Sequence, residues 1–219
     1  MNDQITPTAR TRVKRGPKRV VLDRAKIYQV IDSTPLCHIA YLLDGQPALT
    51  PTLHWRAGDR IFWHGSSASR TLRRSEKNEI CLNVTRLDGY VLARSAFHHS
   101  VNYRSVTIFG VPELIEDASA KADALQAMVD HMIPGRWPGL RPMTAKELKA
   151  TSVMWMPIDE VSAKVRGGGP VDDEEDYGLD IWAGVVPVAP RFGAPVDDER
   201  LKPGLTVPAH VVERFANNG

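Results

Sequence analysis

Cysteine is scarce in this 219-residue chain: Cys37 and Cys81 are the only two, and both lie in apolar runs. Two such thiols make no disulfide framework and read as buried, reduced groups of a cytoplasmic protein. Charge of one sign is lacking too. With 28 Lys and Arg against 26 Asp and Glu, the net charge is +2 and no overall field calls for nucleic acid. No apolar run approaches the roughly 18 residues of a membrane span, and the N-terminus is too polar for a signal peptide. The Gly-x-Gly-x-x-Gly fingerprint of a dinucleotide site is missing, as is the nucleophile elbow of a serine hydrolase. No carboxylate or cysteine stands at ligand spacing near the histidines, so no metal site is expected.

What is present fits one soluble domain with tails. Apolar content of 42% and charged content of 25% are ordinary. Arg10, Arg12, Lys14, Arg15, Lys18 and Arg19 crowd residues 1–19, which read as a flexible basic arm, solvated or packed on an acidic partner surface. Residues 20–166 carry the periodic structure. A helix is expected from about Asp23, then strands over Leu36–Leu43 and Pro47–Trp55 joined by the hairpin turn Asp44-Gly45. A third strand leads into a serine cluster, and a helix from Ser67 to about Lys77 crosses to a fourth strand, Glu79–Arg86. Leu87-Asp88-Gly89 reads as a tight turn into a fifth strand, Tyr90–Ser95, and Arg104–Glu116 as a sixth. A helix from Asp117 to about Met132, a short helix at Thr144–Ala150 and a strand pair, Val153–Ile158 and Val161–Arg166, complete the domain. The Gly-rich and acidic stretch 167–178 reads as a mobile linker, and 179–219 as a C-terminal tail packed on the domain or on a partner. Short strands, glycine turns and inserted helices imply a small antiparallel barrel of α+β type.

The organising stretch is Arg60-Ile-Phe-Trp-His-Gly-Ser-Ser-Ala-Ser-Arg-Thr-Leu-Arg-Arg74. A β-favouring run breaks at Gly65 into hydroxyls, and Ser66 or Ser67 can cap the helix that follows. Ser66, Ser67, Ser69 and Arg70 beside a helix N-terminus suit an anion, phosphate being the usual one. An ordinary capped helix with solvated arginines fits the same residues.

Phe62-Trp-His-Gly-Ser-Ser-Ala-Ser-Arg70 resembles the phosphate loop of the pyridoxamine 5′-phosphate oxidase-like flavoproteins, the FMN-binding split barrels, and most closely their nitroimidazole-resistance branch. A second block, Leu92 to Gly110, resembles the same branch, and the likeness spans roughly Arg19 to Pro187. It implies an FMN-dependent oxidoreductase acting on a small redox-active molecule, nitroreductase-like, with N5 of the flavin carrying the hydride chemistry. It also implies a homodimer with flavin at the interface and a nicotinamide electron donor using the same open cleft.

Ring contacts are implied near Thr50, Pro51, Thr52, Phe62 and Trp63, and a catalytic role for His64 next to the phosphate loop. Within the second block, Asn102, Arg104 and Ser105 are cofactor candidates; Ser105 stands where the vitamin B6 oxidases have a flavin-contacting glutamine. Of the adjacent His98 and His99, one can face the flavin. Ile181-Trp-Ala-Gly184 resembles Phe-Trp-Gln-Gly of those oxidases, so Trp182 either reaches the flavin across the dimer or plugs the tail onto the barrel. Val188 and Pro190 replace the Arg-x-His pair that grips pyridoxal phosphate, which argues against a true pyridoxine phosphate oxidase. The alternative is a non-enzymatic split-barrel binding protein for haem or another flavin-like cofactor, with His64, His98 and His99 as ligands.

Overall fold

The computed structural model describes residues 3–69, 72 and 78–216. Asp23 caps α1 (Arg24–Ile31) by accepting from the Lys26 N–H at 2.8 Å, the arrangement that satisfies an otherwise orphaned donor. Strands β1 (Leu36–Leu43) and β2 (Gln46–Ala57) form the expected hairpin. Asp44 and Gly45 both take positive φ, 51° and 79°, as a two-residue hairpin turn with right-handed strand twist requires. β3 (Arg60–Ser66) follows directly. The helix expected from Ser67 to Lys77 falls mostly outside the described residues.

One long strand, β4 (Ile80–Leu92), occupies the place of the two expected strands. Leu87-Asp88-Gly89 is a β-bulge, at which the pairing with β5 (Ser100–Gly110) shifts register. Gly89 is needed there because β9 (Gly184–Pro187) lies against it: a Cβ would stand 2.9 Å from the Val186 carbonyl oxygen. The turn signal was a close-approach signal instead. Gly89→Ala is therefore expected to displace β9 while the barrel stays folded. Limited proteolysis should then release the C-terminal segment faster than in the parent protein; an unchanged digestion pattern would refute the close-approach reading.

The sixth expected strand ends early, at Gly110, and a short β6 (Glu113–Leu114) follows. Then come α2 (Ala118–Met132), capped by Asp117, and α3 (Ala145–Ala150), closed by a Thr144–Glu147 capping box. β7 (Thr151–Pro157), β8 (Glu160–Arg166) and a terminal α4 (Ala209–Ala216) complete the described elements. All strands pair antiparallel in the order β6-β7-β3-β2-β1-β4-β5-β8, with β9 added beside β4. The result is a curled half-barrel of α+β class.

Its inner face is lined by Ile39, Ile61, Trp63, Leu82, Val106 and Ile108, closed by Ile27 and Ile31 of α1. Cys37 belongs to this layer, and burial pushes its thiol up to about 12. Cys37 and Cys81 are both free thiols. A second layer, Trp55, Phe62 and Val153 with Leu125, lies on the outer face beneath α2 and α3.

The basic arm is docked on its own chain. Ile5 is buried, and Arg10 pairs with Glu79 at 2.7 Å and with Glu160 while stacking on Phe109. Acidic groups of the same domain thus neutralise part of the charge that suggested an external partner. The acidic stretch is likewise anchored. Asp172 is buried and accepts from the Arg94 backbone N–H at 3.0 Å and its guanidinium at 2.9 Å. Burial pushes the Asp172 carboxyl up, but these donors outweigh it and hold its pKa below the usual value. Stability from this group is thus fully present above the ordinary carboxyl pKa and is lost as pH falls through the lowered one. Asp172→Asn should lower the melting temperature at pH 7, with the gap to the parent closing as the pH is taken from about 5 to 2. A gap independent of pH would remove the ion pair from the account.

Candidate functional site

Residues opposite one another in an antiparallel ladder share a face, so the pairing registers sort the expected site residues. Thr50 and Thr52 pair with Ile39 and Cys37, which are inner-face residues, and so point inward. Pro51 pairs with His38 and points out, with Leu49 and Leu53 on either side along the same face. Phe62 pairs with Trp55 and belongs to the outer layer, while Trp63 lies in the inner core. The expected ring wall is thereby divided: Pro51 and Phe62 have outward side chains, whereas those of Thr50, Thr52 and Trp63 fill the barrel.

Ser105 is on the outer face. Its hydroxyl bonds Thr85 Oγ1 at 2.9 Å and accepts from Asn83 Nδ2 at 3.2 Å, and Asn83 also donates to Thr107 Oγ1 at 2.9 Å. Asn83, Thr85, Ser105 and Thr107 make a polar strip beside the exposed apolar strip of Leu36, Leu49 and Pro51. Asn83 and Thr85 were missed in the sequence, although the alternation Cys81-Leu-Asn-Val-Thr85 places both on one face. Donors beside an apolar surface are what a flavin ring and its carbonyl edge require.

Arg104 is already engaged, in a bidentate pair with Asp88 at 2.9 and 2.7 Å. Asn102 donates to the Gly168 carbonyl at 3.0 Å and accepts from Arg166. Arg104 thus braces the bulge of β4, and Asn102 ties β5 to the 167–178 stretch. In the serine loop the Ser67 N–H donates to the Ala150 carbonyl at 2.8 Å, the Ser69 N–H to the Ser66 carbonyl at 2.8 Å, and the Ala68 N–H to Ser66 Oγ at 3.2 Å. The loop amides are committed internally, so Ser66, Ser67 and Ser69 would offer an anion their hydroxyls. Arg70 lies outside the described residues.

His64 is half-buried in the outer layer, its ring 6.0 Å from that of Trp55, and its Nδ1 is buried without a hydrogen bond. Desolvation lowers its pKa, so at neutral pH it is a neutral imidazole, fit to accept a proton. His98 is held by Asp173 at 3.3 Å, and His99 Nδ1 by the Ser95 carbonyl at 2.8 Å. Trp182 is 66% exposed, and its ring lies over Gly184 of its own tail, so it does not plug the barrel.

Beside the outer face, where β1 has not yet begun, lies a cleft of about 880 Å³ between Leu53, Thr85, Arg86 and Leu87 of the sheet, the end of α2, and the segment from Val188 to Phe192. No local signal marks it, because its walls come from six separate stretches of the chain. Among the described residues no group of three or more His, Cys, Asp and Glu is placed to hold a metal ion. No described helix is long and apolar enough to cross a membrane.

A curled antiparallel half-barrel with few helices is the architecture of the pyridoxamine 5′-phosphate oxidase-like split barrels. The pyridoxamine 5′-phosphate oxidase family profile matches residues 23–165, and this chain belongs to that family. It is 44% identical to the flavocytochrome Anf3 of Azotobacter vinelandii, with a TM-score of 0.92 over 95% of this chain and 98% of that one. It is 37% identical to the FAD and haem binding protein of Mycobacterium smegmatis, with a TM-score of 0.86 over 90% and 97% of the two chains. A candidate 5-nitroimidazole antibiotic resistance protein from Bacteroides thetaiotaomicron, 21% identical over 67% of this chain and 86% of that one, shares the fold with a TM-score of 0.57. No curated protein matches the chain.

Proposed function

We propose that this protein is a flavin- and haem-binding oxidoreductase that passes electrons to or from a small redox-active molecule, and that its flavin is FAD. The observation that carries this reading is the 44% identity to a flavocytochrome across nearly the whole of both chains. The FAD and haem binding protein at 37% identity supports the choice of FAD over the FMN implied by the serine loop. The flavin ring lies on the outer face, against Pro51 and the hydroxyl strip at Ser105, with its phosphates towards the serine loop. A nicotinamide donor uses the same open face in turn. Val188 and Pro190 present no cation or imidazole to the cleft they line, which speaks against a pyridoxine phosphate substrate.

The active form is a homodimer. Leu36, Leu42 and Leu49 on the outward side of the β1–β2 hairpin are 54%, 65% and 63% exposed. A second copy covering that face would bury them and enclose the flavin. The second reading, an FMN-dependent nitro-compound reductase, rests on the resemblance carried by the serine block and by Leu92–Gly110. Acid release of the bound cofactors followed by chromatography separates the two: FAD with haem is the expected result, and FMN without haem would establish the second.

A further inference from the structure

We propose that His38, at the centre of the open sheet face, is the proton-holding residue of the flavin site: its imidazole takes up a proton as two electrons enter the bound flavin. The inference rests on the flavin-binding reading above. His38 lies on β1 opposite Pro51 of β2 on one side and Asn83 of β4 on the other. A ring reaching from Pro51 to the hydroxyl of Ser105 on β5 has to cross β1 and β4, because the strand order is β2-β1-β4-β5. His38 is on that path. Its side chain is exposed, whereas its chain neighbours, Cys37 and Ile39, are buried in the inner layer.

The other polar groups of the face are committed to one another. Asn83 donates to Ser105, Thr107 and the Val106 carbonyl, and accepts from Thr85 at 2.7 Å. His38 has no hydrogen-bond partner among the described residues. The side chains that share its face on the adjoining strands carry no charge: Leu49, Pro51 and Leu53 on β2, and Cys81, Asn83 and Thr85 on β4. Burial raises the pKa of the Cys81 thiol, which keeps it protonated. Further out, Arg10 stacks on Phe109 and pairs with Glu160, and Lys164 lies opposite Ser105 on β8. His64 is placed otherwise, packed on Trp55 of the layer beneath α2 and α3.

Histidine is the side chain whose charge changes most readily near neutral pH, and a negative charge in contact with it favours the imidazolium. Flavin supplies that charge, on its N1 and C2 carbonyl edge, when it accepts two electrons and one proton. The balance is then two electrons from the donor, one proton onto the flavin, and a second proton from solvent onto His38. The imidazolium offsets the charge on the ring and so favours the reduced state. Leu36, Leu49 and Pro51 beside it limit the water that would screen the pair.

The test loads full-length parent, His38→Gln and His38→Lys with FAD and haemin, and reads flavin content, melting temperature and the flavin midpoint potential against pH. Both variants should match the parent in flavin content and melting temperature, since the side chain is exposed. The parent potential should fall with rising pH more steeply than that of His38→Gln, by about 30 mV per pH unit. That is the tenfold change in equilibrium constant that one coupled proton adds to a two-electron couple. The difference is confined to the range in which the imidazole is neutral beside the oxidised ring and charged beside the reduced one. His38→Lys carries its charge throughout that range, so it should restore the potential lost in His38→Gln without restoring the steep slope. Equal slopes in parent and His38→Gln would overturn the proposal. Flavin lost from both variants would overturn it too, by making His38 a binding contact. A parent that takes up no flavin would instead overturn the reading on which it rests.

Discussion

Trp55→Ala is expected to destabilise the protein by about 3 kcal/mol, at the lower end of the 3–5 kcal/mol typical of removing a large aromatic from a core. Trp55 is 1% exposed and lies stacked on Phe62, ring centroids 5.8 Å apart and planes at 13°. Removing it opens a cavity between β2 and the helices and takes away the surface on which His64 rests. The cost stays near the lower bound because the indole N–H is buried without a hydrogen bond, and an orphaned donor costs roughly 1–3 kcal/mol that its removal returns. Trp55→Phe tests the same point from the other side: it keeps most of the stack and discards the orphan, so it should cost far less than the alanine. Urea denaturation of the two variants checks both statements. An alanine variant as stable as the parent would mean that the outer layer does not hold α2 against the sheet.

Leu49→Asp is expected to leave the monomer folded and to abolish the proposed dimer. The side chain is 63% exposed, so a carboxylate there is solvated in a single subunit. Between two subunits it would be buried without a partner, which costs on the order of 3–5 kcal/mol, or at least about 100-fold in dissociation constant. Flavin should be lost in parallel, since the outer face then stays open to water. Sedimentation of parent and variant, each with its flavin content, decides the matter. A variant that sediments as the parent dimer would put the interface elsewhere, and a monomeric parent that still holds flavin would remove the dimer from the account.

Much of the fold was legible because its signals are local. Asp23, Asp117 and Thr144 stand directly before amphipathic runs, and each caps the helix expected of it. Asp44-Gly45 could adopt positive φ and did. The misreading at Leu87-Asp88-Gly89 has a physical reason. A glycine demanded by a neighbouring backbone looks, in one dimension, like a glycine demanded by a turn, and the neighbour, Val186, is nearly a hundred residues away in sequence. The basic arm was read as flexible, solvated or packed on an acidic partner surface, and the acidic stretch as a mobile linker, for the same reason. Arg10 and Asp172 find their partners at Glu79, Glu160 and Arg94, contacts that no window along the chain contains.

The candidate site was legible by residue type more than by geometry. Pro51 and Ser105 do share the outer face, but Thr50 and Thr52 were grouped with Pro51 although alternation along β2 turns them inward. Arg104 was read as a possible cofactor contact, and Asp88 already engages it. The cleft at His131 lay outside the reading altogether. Its walls join the end of α2 to β2, β4 and the tail, residues that no single stretch of the chain brings together.

The measurement that bears most directly on the central claim is the absorption spectrum of the purified protein after incubation with FAD and haemin and removal of excess cofactor. Flavin bands together with a Soret band, at one flavin and one haem per chain, are the predicted result. A spectrum that shows neither, from protein that is folded by circular dichroism, would contradict the account.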